Sequence, residues 1–292
     1  MLASCADPKS LEGLAWLMCY LTSGKHLLFY LSFGTVLGLL AVTAPVALIF
    51  GFGGAMASRS RIVPLRWVGR VYTSMVRGVP DIIFFLFVPI ALDQMFEWLR
   101  SRLYCDPAGP VRQGNEFIVC AAAKLPQSTS PEWMHQLYGI ALAVLAFSVV
   151  FGAFAANVLY GAMNAVPRAQ LETAEAYGMT PRQVNRRILI PQMWTYALPG
   201  LSNLWMILIK ATPLLFVLGV EDIVYWAREL GASKTSAYAF PHPDWRLYYF
   251  LAILVFYLLM TWGSERILDR LRRRLSAGQA TAAGEAMRKA AT

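Results

Sequence analysis

Apolar and polar positions alternate along this chain in long blocks. Residues 27–58, 136–167, 188–209 and 247–264 contain no Asp, Glu, Lys or Arg. Roughly 20 mostly apolar residues suffice for a helix to cross the hydrocarbon of a bilayer. Barrel strands would instead show as alternating segments of about 10 residues. The pattern therefore predicts an all-α, polytopic membrane protein. Its spans are expected near 28–56, 64–95, 137–166, 194–220 and 247–268. The second is unusual, because Arg77-Gly78-Val79-Pro80-Asp81 interrupts it. Pro80 has no N–H for the carbonyl four residues back, so the helix is weakened there.

Between the third and fourth spans lies the polar stretch 166–192, VPRAQLETAEAYGMTPRQVNRRILIPQ. A polar segment between two membrane-length segments must sit in water. Gln170 to Tyr177 is rich in helix formers, and Gly178 breaks a helix. Thr180-Pro181 caps and starts a second one. A folded helix-turn-helix on one membrane face suggests a docking surface for another protein. Two shorter amphipathic helices are expected elsewhere, over residues 11–22 and within 220–231. The connection 97–135 shows no strong periodicity. It reads equally as an outer cap, a partner-contact loop or a plain variable loop. Residues 275–292 are Ala-rich and polar, which predicts a disordered tail.

Composition agrees with the pattern. Hydrophobic residues make up 57% of the 292 and charged residues 15%, against about 25% charged in soluble domains. The net charge of +9 does not indicate nucleic acid once its distribution is considered. Basic residues concentrate after the first span, in the polar stretch and after the last span. The other connections are balanced. By the positive-inside bias, those basic segments are cytoplasmic. The bias fixes an odd number of spans, with the N-terminus outside and the C-terminus in the cytoplasm. The expected organisation is an outer segment 1–27, a transmembrane region 28–274 and a cytoplasmic tail 275–292. No convincing cleavable signal opens the chain, since Asp7 and Glu12 stand where a basic start is needed.

The polar residues inside or beside spans are candidates for chemistry, each with a plainer reading. Arg77 and Asp81 can pair at i,i+4 within the span, or Arg77 can sit at the cytoplasmic edge with Asp81 as a cap. Asn157 can bond a neighbouring helix or meet a ligand. Lys210 snorkels, or faces a wet cavity or a partner subunit; Thr212-Pro213 beside it frees backbone groups that need polar company. All four cysteines fall in segments placed outside, so Cys105–Cys120 is a candidate disulfide, with unpaired thiols as the alternative. His26, His135 and His242 are scattered and suggest no metal site. No G-x-x-x-x-G-K-[ST] phosphate loop occurs; Ser23-Gly24-Lys25-His26 is the nearest approach.

The polar stretch also carries a recognisable motif. Glu172-Thr173-Ala174, then Gly178, then Ile188-Leu189-Ile190-Pro191, resembles the EAA loop of ABC-importer permeases. Arg77 to Asp81 (RGVPD), Tyr196 to Gly200 (YALPG) and Leu218 to Val224 (LGVEDIV) extend the resemblance. Together they look like the polar amino acid subfamily, nearest the Q-type subunits of histidine, lysine, arginine, ornithine and opine transporters. Thr173 and Ile190 depart from the motif by small or volume-conserving changes. Asn157 and Tyr160 stand where the family often has an acid and an arginine, so both charges are absent together. Lys210 is followed by Ala211 and Pro213 where the family has a polar residue and a small one.

The resemblance implies a type I ABC-importer permease fold (MetI-like) in the bacterial inner membrane. It implies an ABC ATPase dimer as partner, binding ATP and Mg that this chain does not bind. It further implies a second permease subunit, a heterodimer rather than a homodimer, and a periplasmic amino-acid-binding protein. The expected cargo is polar amino acids, basic ones among them. Glu172, Thr173, Ala174, Glu175, Ala176, Tyr177, Gly178, Arg186, Arg187 and Pro191 would couple to the ATPase. Arg77, Asp81, Asn157, Lys210 and Thr212 are the pathway candidates. The chain would itself be no enzyme. The alternative is a secondary transporter or channel not driven by ATP, which predicts an internal inverted repeat; none is apparent.

Overall fold

The computed structural model describes residues 5, 8–75, 80–106, 112–113, 116–117, 119–127, 129–214 and 220–276. Arg77, Gly78 and Val79 of the RGVPD motif, Leu218 and Gly219 of the LGVEDIV motif and the tail beyond 276 lie outside the described residues.

The small residues of the first and third apolar blocks determine the centre of the fold. Helix α2 (Gly24–Ser58) packs beside α5 (Glu132–Ala165) in the same direction. A Cβ on Gly51 would sit 2.7 Å from Ala155 Cβ, and one on Gly152 would sit 2.5 Å from Phe50 Cβ. Only glycine lets these backbones approach so closely, which is how helices associate where no hydrophobic effect separates protein from lipid. Arg59 at the end of α2 donates to Asn164 Oδ1 near the end of α5, 2.7 Å away.

The second apolar block differs from expectation. It forms two helices, α3 (Val63–Met75) and α4 (Asp81–Tyr104), rather than one span from residue 64. Helix α3 folds back on α2. Gly69 lies against the Ser58 backbone, where a Cβ would collide. The Tyr72 hydroxyl donates to the Val149 carbonyl of α5 at 2.6 Å. Helix α4 begins directly after Pro80, whose missing N–H costs nothing at a helix start. Phe85 of α4 stacks on Phe151 and meets Phe147 of α5 edge to face, and Tyr138 of α5 donates to Asp93 at 2.6 Å.

Among the described residues, four helices are long and apolar enough to cross a membrane: residues 24–58, 82–104, 132–165 and 246–275. The fourth expected span is a helix at different bounds, α8 (Ile190–Ala211), and is not one of those four. Contacts fix the relative directions. Gly200 of α8 meets Val158 of α5. Thr212 pairs with Tyr257 of α10 (Arg246–Ser276), and Arg272 of α10 donates to the Pro199 carbonyl. Helices α2, α5 and α10 thus run one way, and α4 and α8 run the other.

Shorter elements close both ends. The helices expected at 11–22 and 220–231 appear as α1 (Gly13–Leu21) and α9 (Ile223–Gly231). In the 97–135 connection, Arg112–Gln113 (β1) and Glu116–Phe117 (β2) form a two-residue antiparallel ladder. The fold is otherwise helical among the described residues, apart from a single bridge between Lys234 and His242. The large apolar core joins Leu40, Phe147, Ile209 and Ile223; a second cluster joins Ala55, Leu159, Met163, Leu189 and Met193 at the other end. The outward side of α10, including Leu254, Leu258 and Trp262, is exposed. An apolar face of that kind suits lipid or a partner helix.

Candidate functional site

The second cluster is the foundation of the polar stretch. Val166 ends α5 and is buried. Helix α6 (Arg168–Ala176) follows at once, turning Ala174 inward and Glu172, Thr173, Glu175 and Ala176 outward. Its end is a Schellman turn. Gly178 N–H donates to Glu175 O at 2.9 Å, and Met179 N–H donates to Ala174 O at 3.1 Å. That geometry requires a left-handed residue, and Gly178 supplies it with φ +84°. Tyr177, at the tip, is 84% exposed.

The return is capped as firmly. Thr180 accepts from Gln183 N–H at 3.4 Å, and Gln183 Oε1 accepts from Thr180 N–H at 2.8 Å. This is a capping box, with Pro181 in the first turn of α7 (Pro181–Val184). Asn185–Leu189 then form a π-helical turn that leads unbroken into α8. The widened turn precedes Pro191, which has no N–H for the Arg187 carbonyl. Arg182, Arg186, Arg187 and Pro191 are exposed, whereas Val184 and Leu189 are buried. The result is a rigid knob continuous with α5 on one side and α8 on the other. Its surface carries two carboxylates, four guanidinium groups (Arg168 included) and a tyrosine.

The pathway candidates are not brought together. Asp81 opens α4. Asn157 is half-buried on α5 and does have a partner. It lies level with Gly200, whose Cβ position touches Val158. Lys210 is exposed ten residues further along α8, or about 15 Å at the helical rise. Thr212 is fully buried. Its hydroxyl bonds Ile209 O at 2.9 Å and Tyr257 Oη at 2.7 Å. That placement makes it a pin between α8 and α10 and removes it from any open pathway.

The opposite end holds the expected disulfide and features that sequence reasoning missed. The candidate pair Cys105–Cys120 is bonded, and a second disulfide, not anticipated, joins Cys5 to Cys19. The Tyr20 hydroxyl meets Leu230 O, His242 Nε2 and Tyr249 Oη at 3.1, 3.1 and 3.2 Å. His26 Nε2 lies 2.6 Å from Tyr249 Oη. Burial pushes the Tyr20 phenol above its ordinary range. Glu229 pairs with Lys25 at 2.8 Å and Lys234 at 3.1 Å. Chiefly through Lys25, it is held below the usual carboxylate range. Asp222 caps α9, accepting from Val224 and Tyr225 N–H at 3.0 and 2.8 Å. Its signal, an Asp just before an amphipathic run, was present in the sequence. The Tyr20–His242 contact spans 222 positions and leaves no local trace. No cluster that could hold a metal occurs among the described residues.

Known proteins agree with this geometry. The permease HisQ of the histidine/lysine/arginine/ornithine transport system of Escherichia coli is 30% identical over 243 residues, covering 81% of this chain and 87% of HisQ. The nopaline transport permease NocQ of Agrobacterium fabrum is 32% identical over 226 residues, covering 76% and 80%. A crystal structure of an amino acid ABC transporter with histidines superposes with a TM-score of 0.59 at 21% identity, over 85% of this chain and 94% of that one, and so shares the fold. The profile of binding-protein-dependent transport system inner membrane components matches residues 26–277. The chain, with its parallel α2–α5 pair and its rigid loop between α5 and α8, belongs to that family of transport permeases.

Proposed function

We propose that this chain is the membrane-spanning subunit of an ATP-driven importer of polar amino acids, with basic amino acids the favoured cargo. The observation that carries the proposal is the loop 166–192. It is a pre-formed knob with an exposed tyrosine and flanking charges, mounted directly on two spanning helices. The family is the transmembrane component of such importers, and the ATPase is a separate chain. Helix α6 enters a cleft of that ATPase, Gly178 makes its turn, and Glu172, Glu175, Arg186 and Arg187 pair across the contact.

The alternating helix directions support five crossings, with α8 as the fourth. Its exposed Tyr196, Asn203 and Lys210 lower its mean hydropathy and suit a wall against a second permease subunit. Five crossings put the termini on opposite sides of an inner membrane, and the positive-inside bias supports an N-terminus in the periplasm and a C-terminus in the cytoplasm. The second permease is a different chain, and a periplasmic binding protein delivers the cargo at the α1–α9 end. Asn157 and Lys210 act at separate depths of the pathway.

The test is Gly178→Asp in proteoliposomes holding this chain, its partner permease, the ATPase and the binding protein. A φ of +84° is strained for any side chain, so the knob loses its shape. The expected result is loss of ATPase co-purification and of ATP-dependent uptake, while the permease pair remains intact. Unchanged ATPase binding and uptake would overturn the coupling assignment. Uptake that persists without ATP and follows an ion gradient would overturn the importer reading itself.

A further inference from the structure

The turn between α2 and α3 and the outward side of α3 have no task in the transport cycle above. Residues 59–75 contain Arg59, Arg61, Arg66 and Arg70, and no Asp or Glu. Gly69 against Ser58 and Tyr72 on Val149 O fix which side of α3 faces the protein. The other side exposes Trp67 and Val71, flanked by exposed Val68, with Trp67 67% exposed. Arg70 is exposed on that side and Arg61 is exposed at the turn. Apolar residues, a tryptophan and arginines interleaved on one helical face are the composition of a helix lying in a membrane interface. A protein partner burying this face would need carboxylates for its cations, or it would strand them.

The charge points to one occupant. We propose that this face binds anionic phospholipid headgroups of the cytoplasmic leaflet, with Arg61 and Arg70 on the phosphates and Trp67, Val68 and Val71 at the acyl boundary. It rests on the reading above that this end faces the cytoplasm. A cavity of about 610 Å³ opens beside the turn, with Arg59, Arg61 and Leu65 on one wall and Glu175, Pro181 and Asn185 of the coupling loop on the other. Arg59 is already engaged with Asn164, and the Glu175 carboxylate repels a phosphate from its own wall. The headgroup therefore sits on the Arg61 side, against the coupling loop. Bound lipid at this place buttresses the loop from the membrane side.

The experiment uses the assembled importer in nanodiscs of phosphatidylcholine with one quarter phosphatidylglycerol, read by native mass spectrometry of lipid retained after detergent transfer. One arginine near an anionic surface is worth about a fivefold change in association. The double variant Arg61→Gln/Arg70→Gln should therefore lose at least tenfold of the retained phosphatidylglycerol and little phosphatidylcholine. The control Arg270→Gln/Arg273→Gln, with the same charge change on α10, should retain it. No preference for phosphatidylglycerol in the wild type, or equal loss in the control, would overturn the proposal. So would a Val68→Cys thiol shielded in lipid-free detergent only when the partner chains are present, since a protein would then cover the face. An impermeant thiol label on Ser60→Cys that reacts from the periplasmic side would instead overturn the orientation on which the proposal rests.

Discussion

Asp222 is a buried carboxylate whose hydrogen bonds are set against the cost of burying its charge. It is 0% exposed and caps α9 through Oδ1, while Oδ2 has no hydrogen-bond partner among the described residues. Burial raises its pKa from 3.8 to about 6, the two backbone N–H groups opposing but not reversing the rise. A folded-state pKa above the unfolded value means the proton is held more tightly in the folded state. The associated stability is fully present below about pH 4 and is lost as pH rises through about 6. At 1.36 kcal/mol for each unit, that loss is on the order of 3 kcal/mol by neutral pH.

Asp222→Asn keeps an acceptor for Val224 and Tyr225 and cannot ionise. Its amide leaves one polar atom as unpaired as Oδ2 is now, so the size of its effect at a single pH decides little. The difference from wild type as a function of pH is decisive, because every other titrating group cancels. Unfolding of the detergent-solubilised protein should show the Asn variant gaining on wild type between pH 4.5 and 7.5, by about 2 kcal/mol. Asp222→Ala removes the cap and should fall below the Asn variant at every pH, by roughly 0.5–2 kcal/mol. A difference between wild type and Asp222→Asn that does not change with pH would refute the burial argument. Equal stability of the Asn and Ala variants would refute the cap.

Two further outcomes follow from packing and capping. Gly152→Ala puts a methyl 2.5 Å from Phe50 Cβ and 2.6 Å from Tyr72 Oη, and should cost about 1–3 kcal/mol by overpacking. Gly161→Ala, with open space around it, should cost nothing, as read by unfolding of the two variants side by side. Thr180→Ala breaks the capping box and should destabilise α7 by roughly 0.5–2 kcal/mol. The readout is faster amide exchange at Gln183 and Val184, with Thr180→Ser close to wild type.

Local patterns carried far in this sequence. The polar stretch, its glycine turn and its Thr-Pro start were legible because each depends on residues within a few positions of one another. The short helices α1 and α9 were legible for the same reason. The second span was misjudged because an apolar count cannot tell a crossing helix from one that folds back. What separates them is Gly69 meeting Ser58, a contact between residues the pattern treats as consecutive. The fourth span differs in its bounds: α8 begins at Ile190, and Pro191 lies inside a continuous run of helical turns, just after the π-helical turn of Asn185–Leu189. Thr212 looked like a pathway residue from its depth, and only its Tyr257 partner shows otherwise. The Cys5–Cys19 bond and the Tyr20 network join segments whose proximity depends on the whole bundle.

The placement of glycines explains how a push on an exposed loop can move a membrane domain. Force applied at Tyr177 enters α5 through Val166 and α8 through the π-helical turn, because α6 and α7 are capped at the glycine turn and cannot absorb it by fraying. Helix α5 cannot slide on α2, since Gly51, Gly54 and Gly152 bring the backbones within a methyl's width of each other. Sliding would drive Ala155 and Phe50 into them. Tyr72 ties α3 to the same pair. The four helices α2, α3, α5 and α8 therefore respond as one body, as rigid-body switching requires. Helix α10 has only 6% of its apolar window buried. Besides α8 and α9 it touches α1 and α2, through Tyr249 on Tyr20 and His26 and through Phe256 on Phe33. Asn203 and Lys210 stand on the exposed side of α8, and a moving boundary there is what the proposed transport cycle expects.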